Sequence, residues 1–338
     1  MAEANDQHNA GDTSGKAPLP VDGFQGPQEP VRVNHTVRNV IIAAVVVVLV
    51  VVLAFFGYRG FAGKKSAAAK GSESNPVKIG VVGVTSPEWP IFKEEAQKQG
   101  IYVKLVDFQD YTSENPALDS GDLDLNEFQH ILYLADYNVK NHKDLQPIGG
   151  VAVYPLGIYS SKYKDVKDIP AGTTVPVPND ETNQARALGV LKSAGLIKLN
   201  HPWTAFTTPA DIDTAASKVK VLPLKAEQVA NSLKDPQVSA GVINNDYVKD
   251  AGLKASDAIY HDSAESKEAR PYINIFVARK ADADNPTYLK LVKIFHSKKV
   301  AAGIMKKSDN SASLADEYSA EMLQGFLRDV EKDAKAKD

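Results

Sequence analysis

Three short stretches of this 338-residue chain carry groups with chemistry to offer. DLDLNEFQHILYL, from Asp122 to Leu134, sets three acids, a histidine and two aromatic rings among leucines. Asp122, Asp124, Glu127 and His130 have the donor types of a metal site, and His130 that of a general base. The spacing argues for something plainer. Asp122 and Asp124 alternate with Leu123 and Leu125, as in a short strand that shows carboxylates on one face and leucines on the other. If that strand continues through Asn126, Phe128 and His130 point the same way. With Tyr133 they form one wall of a pocket, apolar with a polar edge; the same aromatics would serve as ordinary core.

The second stretch is VPNDETNQARALGVL, 177–191. A strand ends in a turn at Pro178, Asn179 and Asp180, and a helix opens near Thr182 with Asn183 and Arg186 three apart. Free amides at a helix start beside a guanidinium suit a carboxylate, which arginine grips through two parallel bonds. The alternative is a solvated arginine on a helix face. In the third stretch, SAGVINNDYV at 239–248, an apolar strand ends in two amides. Asn244 or Asn245 either presents a carbonyl to an ammonium group or closes a turn.

Catalysis finds no constellation. No GxSxG elbow, HExxH helix or paired-acid motif accompanies His130. GVVGVTS at 80–86 lacks both the three-glycine dinucleotide pattern and the GK[ST] ending of a phosphate loop, and reads as a tight strand exit. No enzyme activity, cofactor or metal is expected. A net charge of -3 offers no electrostatic footprint for nucleic acid. Zero cysteines exclude disulfides, zinc thiolates, thiol nucleophiles and a lipidated amino-terminal cysteine.

The body that must position these groups begins near Val77. VKIGVVGV (77–84) reads as a strand, WPIFKEEAQKQG (89–100) as a helix stopping at Gly100, and IYVKLVDF (101–108) as a second strand, which together make a βαβ unit. Strands follow at 145–160, 173–179, 218–224, 239–244 and 272–279, with helices at 182–195, 226–235 and 286–307. The alternation predicts an α/β fold with mainly parallel sheets. The roughly 260 residues beyond the linker exceed a comfortable single core and imply two lobes.

Upstream, residues 1–38 are rich in Gly, Pro, Asn, Asp and Gln and read as a disordered tail. Residues 39–57 contain VIIAAVVVVLVVVLAFFG, an uncharged run long enough for a transmembrane anchor. A cleaved signal peptide has a shorter apolar core, and a buried strand needs less length. Residues 58–75 form a small, polar linker. Arg32 and Arg38 precede the span while Arg59, Lys64, Lys65 and Lys70 follow it, so charge alone puts the body on the cytoplasmic side.

Taken together, VKIGVVG, NxFQHxxYL at 126–134, PNDxTNxxRAL at 178–188, AGVINNDYV and PYINIFVAR resemble the NLPA family of methionine-binding proteins, from Val77 to about Lys307. The resemblance implies a two-lobed periplasmic-binding-protein-like fold with a cleft between lobes, 76–160 and 265–332 against 161–264, preceded by the one transmembrane helix. It implies an extracytoplasmic receptor that captures L-methionine and delivers it to the permease and ATPase subunits of an ABC transporter. The membrane would then hold it by residues 40–57, with the binding domain outside, against the charge count. Carried over position by position, the ligand contacts fall on Tyr111, Phe128, His130, Tyr133, Asn183, Arg186, Asn244 and Asn274. Arg186 would take the carboxylate, the asparagines the ammonium and carboxylate, and the rings the thioether. D-methionine, another amino acid, a methionine derivative or a short peptide are the alternative ligands; an anchored adhesin or an enzyme are the alternatives of another class. SENPAL after Asp110-Tyr111 and Glu127, where the family more often has a small or apolar residue, are departures from the pattern.

Overall fold

The computed structural model describes residues 40, 44–48, 50 and 68–336, the side chains of Lys267 and Glu268 excepted. Up to Val153 the chain lays down β1 (Val77–Val82), α1 (Glu88–Lys98), β2 (Val103–Phe108), α2 (Glu114–Ser120), β3 (Leu125–His130), α3 (Ile131–Asn141), β4 (Gln146–Gly150) and β5 (Ala152–Val153). It then forms β6 (Gly157–Tyr159), β7 (Thr174–Pro178), α4 (Glu181–Ser193), β8 (Lys220–Leu224), α5 (Ala226–Ser232), β9 (Gly241–Ile243) and β10 (Tyr260–His261). It returns through β11 (Asn274–Ala278), α6 (Pro286–Phe295), α7 (Lys298–Lys307), β12 (Ser313–Leu314) and α8 (Ala320–Lys335).

The first sheet has the order β2-β1-β3-β11-β4. In β1 every residue but Lys78 is buried, as a strand covered on both faces requires. It pairs in parallel with β2, from Val77 opposite Val103 to Val82 opposite Phe108, so the expected βαβ unit is present. Helix α1 gives way to Gly100, whose φ of +74° is open to glycine at little cost. On one side of this sheet Trp89 and Phe92 of α1 meet Phe295 of α6 at ring-centroid distances of 5.3 and 5.1 Å, and Phe276 of β11 closes the cluster at 4.9 Å from Phe295. On the other side α3 and α8 bury Leu132, Leu134, Leu323 and Leu327.

A second group of strands runs β10-β6-β9, with a parallel pair β7-β8. Leu188 and Leu191 of α4 pack there against Val175, Val177 and Val242.

The structure corrects three expectations. The first sheet is mixed and the β10-β6-β9 sheet antiparallel, rather than mainly parallel. Strand β11 is antiparallel to both β3 and β4, and β6 is antiparallel to β9 and β10. The single strand expected at 145–160 is three strands in three different sheets. Gly150 lies so close to Ala315 that an added Cβ would stand 2.3 Å from its carbonyl oxygen, and β6 joins the second group, ahead of the expected lobe boundary at 160. The helix expected at 286–307 breaks at His296 and Ser297, where Ser297 is extended and begins α7. The membrane anchor and tail expected at 1–57 lie outside the described residues except at 40, 44–48 and 50, which are helical. Among the described residues no helix is long and apolar enough to cross a membrane.

Candidate functional site

His130 stands where β3 ends and α3 begins. Its extended backbone makes it the N-cap of α3, and its Nδ1 accepts the Tyr133 backbone N–H at 3.1 Å. That bond leaves the ring proton on Nε2, which faces Asn183 Oδ1 at 3.4 Å. Burial, and then the nearby Arg186 charge, push the imidazole pKa down to about 3, so the ring is neutral. One turn on, Tyr133 lies 5.6 Å from Phe128 and 6.3 Å from Tyr111, and Tyr111 lies 5.8 Å from Phe128. The three rings form one wall. Hydrogen bonds fix them: Tyr133 donates to the Tyr111 carbonyl at 2.9 Å, and Tyr111 donates to Asp246 Oδ2 at 2.9 Å.

The facing wall comes from α4 and from the end of β9. Asp180 caps α4, accepting the Asn183 backbone N–H at 2.9 Å and the Thr182 hydroxyl at 3.0 Å. One of the helix-start amides expected for a carboxylate, that of Asn183, is therefore already engaged by the chain's own acid. Asn183 Nδ2 also donates to Asp180, at 3.0 Å, while its Oδ1 accepts from Asn244 Nδ2 at 2.9 Å. Arg186 is buried and donates through Nε to Asp262 Oδ2 at 2.7 Å and through Nη2 to Asp262 Oδ1 at 3.1 Å. Nη2 also reaches the Tyr154 carbonyl at 2.9 Å, and the guanidinium lies 4.2 Å from the Tyr272 ring centroid. Within the described residues Nη1 alone of the guanidinium makes no hydrogen bond.

Between these walls lies a narrow cavity of about 30 Å³. All eight residues that sequence reasoning singled out line it: Tyr111, Phe128, His130, Tyr133, Asn183, Arg186, Asn244 and Asn274. Gln129, Tyr154, Pro155, Leu156, Asn245 and Asp246 line it too, and were not chosen. Asn245 had a signal, the doubled amide after β9; nothing local in the sequence marks Asp246 or Tyr154. Among the described residues, two atoms at this cavity are buried with no partner: Asn244 Oδ1, an acceptor, and Asn245 Nδ2, a donor. Such atoms cost about 1–3 kcal/mol each until something bonds them.

The acids of the opening stretch separate. Asp122 is exposed. Asp124 is buried and accepts the Lys78 backbone N–H at 2.8 Å and the Tyr288 hydroxyl at 3.2 Å, so it joins β1 to α6. Glu127 is buried in β3, and its burial pushes its carboxyl up to about 8. Among the described residues no three His, Asp or Glu side chains stand together as a metal site.

The model of the NlpA lipoprotein family matches residues 77–315. The D-methionine-binding lipoprotein MetQ of Yersinia pestis is 37% identical over 230 residues, covering 67% of this chain and 83% of that protein. A nutrient binding protein from Burkholderia cenocepacia, solved bound to methionine, is 36% identical with a TM-score of 0.64, covering 71% of this chain and 99% of that one. The substrate binding protein of a methionine transporter from Streptococcus pneumoniae is 34% identical with a TM-score of 0.66, covering 71% and 95%. The chain is of the substrate-binding type and not an enzyme. From Val77 to Ala315, with the strand order, the cleft and the motifs that line it, this chain belongs to the NlpA lipoprotein family.

Proposed function

We propose that the cleft binds L-methionine, and that the chain delivers it to the permease and ATPase of an ABC importer from the extracytoplasmic face of a membrane. The observation that carries the reading is the set of unmet bonds at one cavity. An orphan acceptor, Asn244 Oδ1, and an orphan donor, Asn245 Nδ2, occur with Arg186 Nη1 beside three aromatic rings. A zwitterion supplies both missing partners, its ammonium to Asn244 and its carboxylate to Arg186 and Asn245. A thioether against Tyr111, Phe128 and Tyr133 gains about 0.3 to 1.5 kcal/mol per ring contact, which favours methionine over a polar side chain. His130, Asn183 and Asn274 complete the walls, and the part built on β6 to β10 closes on the part built on the first sheet as the lobes of a clamp. D-methionine is the second reading, supported by the name of the Yersinia relative.

For the anchor, the relatives are lipoproteins by name, and this chain has no cysteine to carry a lipid. The uncharged run 40–57 offers another means of attachment, and holding a receptor beside its transporter raises its local concentration there. Protection of the body from added protease in intact cells would overturn the outward orientation. The ligand test is thermal unfolding of the full chain in detergent with L-methionine, D-methionine, leucine or glutamine. Ligand at 1,000 times its dissociation constant adds about 4 kcal/mol of stability. Stabilisation by L-methionine beyond all three others is the expected result; an equal response to leucine would remove the thioether assignment.

A further inference from the structure

Lys307 ends α7 outside the cavity, with a side chain only 9% exposed. Its Nζ lies 2.8 Å from Asp246 Oδ1 and 3.6 Å from Glu88 Oε1, and 5.1 Å from the Tyr154 ring centroid. Both of its cavity-lining neighbours hold something else in place. Asp246 accepts the Tyr111 hydroxyl through its second oxygen at 2.9 Å, and the Tyr154 carbonyl accepts Arg186 Nη2 at 2.9 Å. Asp246 follows β9, in the second group of strands, whereas Lys307, Glu88 and Tyr111 belong to elements around the first sheet. The contact therefore spans the cleft. A buried ammonium is retained only where its partners repay its lost hydration, and here the short contact is the one on the far side.

We infer that Lys307 is a positioning residue of this site: its ammonium grips Asp246 across the cleft, which seats the Tyr111 ring against Phe128 and Tyr133 and holds the two sides shut. The selectivity that follows rests on the methionine reading; the closure does not. Lys307→Met keeps the apolar stem, removes the grip and leaves the Asp246 carboxylate without its cation. Adding Asp246→Asn removes the nearer stranded charge, while the Glu88 carboxyl, already pushed up by burial, takes a proton once the ammonium is gone; the amide still offers an oxygen to the Tyr111 hydroxyl. A purely structural lysine would be mended by that second change in every respect. A gripping lysine would regain stability and stay open.

The experiment uses the full chain in detergent with spin labels on Lys104→Cys and Lys220→Cys. These positions are exposed, one on β2 and one on β8, and the native chain has no thiol to compete. Electron-spin distance measurements on the ligand-free protein should show the long-distance, open population rise about tenfold in Lys307→Met and remain raised in Lys307→Met/Asp246→Asn. Distance distributions that match the unaltered chain in the double variant overturn the inference. With L-methionine added, the double variant should bind at least tenfold more weakly and lose part of its preference over leucine. An unaltered chain that binds no methionine would remove the ligand reading, and the ligand-free distances would still decide the role of Lys307.

Discussion

Arg186 and Asp262 meet edge to edge, with Nε to Oδ2 at 2.7 Å and Nη2 to Oδ1 at 3.1 Å, the arginine 6% and the aspartate 27% exposed. The two-pronged edge that sequence reasoning offered to a ligand is thus used inside the protein, and Nη1 is what remains. Arg186→Ala should weaken methionine binding by about 2 to 5 kcal/mol in calorimetry. Arg186→Lys should not restore it, because one ammonium cannot serve Asp262, the Tyr154 carbonyl and a carboxylate from a single point. Recovery of most of the affinity with lysine would mean that charge alone is recognised.

The neutral imidazole of His130 makes stability depend on acid. Its folded pKa of about 3 lies below the usual histidine value, so between those values the unfolded chain holds a proton that the folded chain refuses. Stability then rises with pH across the window and is lost as pH falls below about 6.5, by about 3 kcal/mol down to pH 4. Urea titrations of His130→Gln should show a correspondingly flatter profile, offset by a pH-independent cost for the altered cap.

Glu127 works in the opposite sense. Burial raises its folded pKa to about 8, so above the ordinary carboxylate range the folded chain keeps a proton that the unfolded chain gives up. Its contribution to stability falls as pH rises from about 4.5 to 8. Glu127→Gln should leave stability near that of the native chain at pH 4 and exceed it at pH 8, on the order of a few kcal/mol. Parallel pH profiles for the two proteins would show that the carboxyl is ionised in the fold.

Gly303 packs α7 directly on the start of α1: an added Cβ would stand 2.7 Å from Glu88 Cα and 2.8 Å from its nitrogen. Backbone cannot yield as a side chain can. Gly303→Ala should cost about 1 to 3 kcal/mol in chemical denaturation. Because Lys307 lies one turn further along α7, methionine affinity should fall as well.

The elements nearest the site were legible because local signals agreed with the tertiary result. NEFQH alternates with a strand's period, and the Phe128 and His130 side chains do reach the same cavity. Asp180 and Gly195 punctuate α4 at both ends as capping chemistry predicts. What failed depended on distant partners. Nothing around VAVYP announces that Val153 pairs with Ser313 while Gly157 pairs with Ile243. Asp124 alternates with leucines as a solvent-facing residue would, yet it is buried because Tyr288, far along the chain, reaches it. Nothing local marks Asp246; its importance comes from Tyr111 and Lys307, neither of which is near it in sequence.

The two ion pairs beside the cleft, Arg186 with Asp262 and Lys307 with Asp246, each hold opposite charges close together. Beyond a screening length of about 8 Å in physiological salt, each pair reads as nearly neutral. These two pairs therefore project little field to steer an approaching solute. Capture should proceed at nearly the same rate in dilute buffer and in strong salt, leaving the residence time of the ligand to set how tightly it is held.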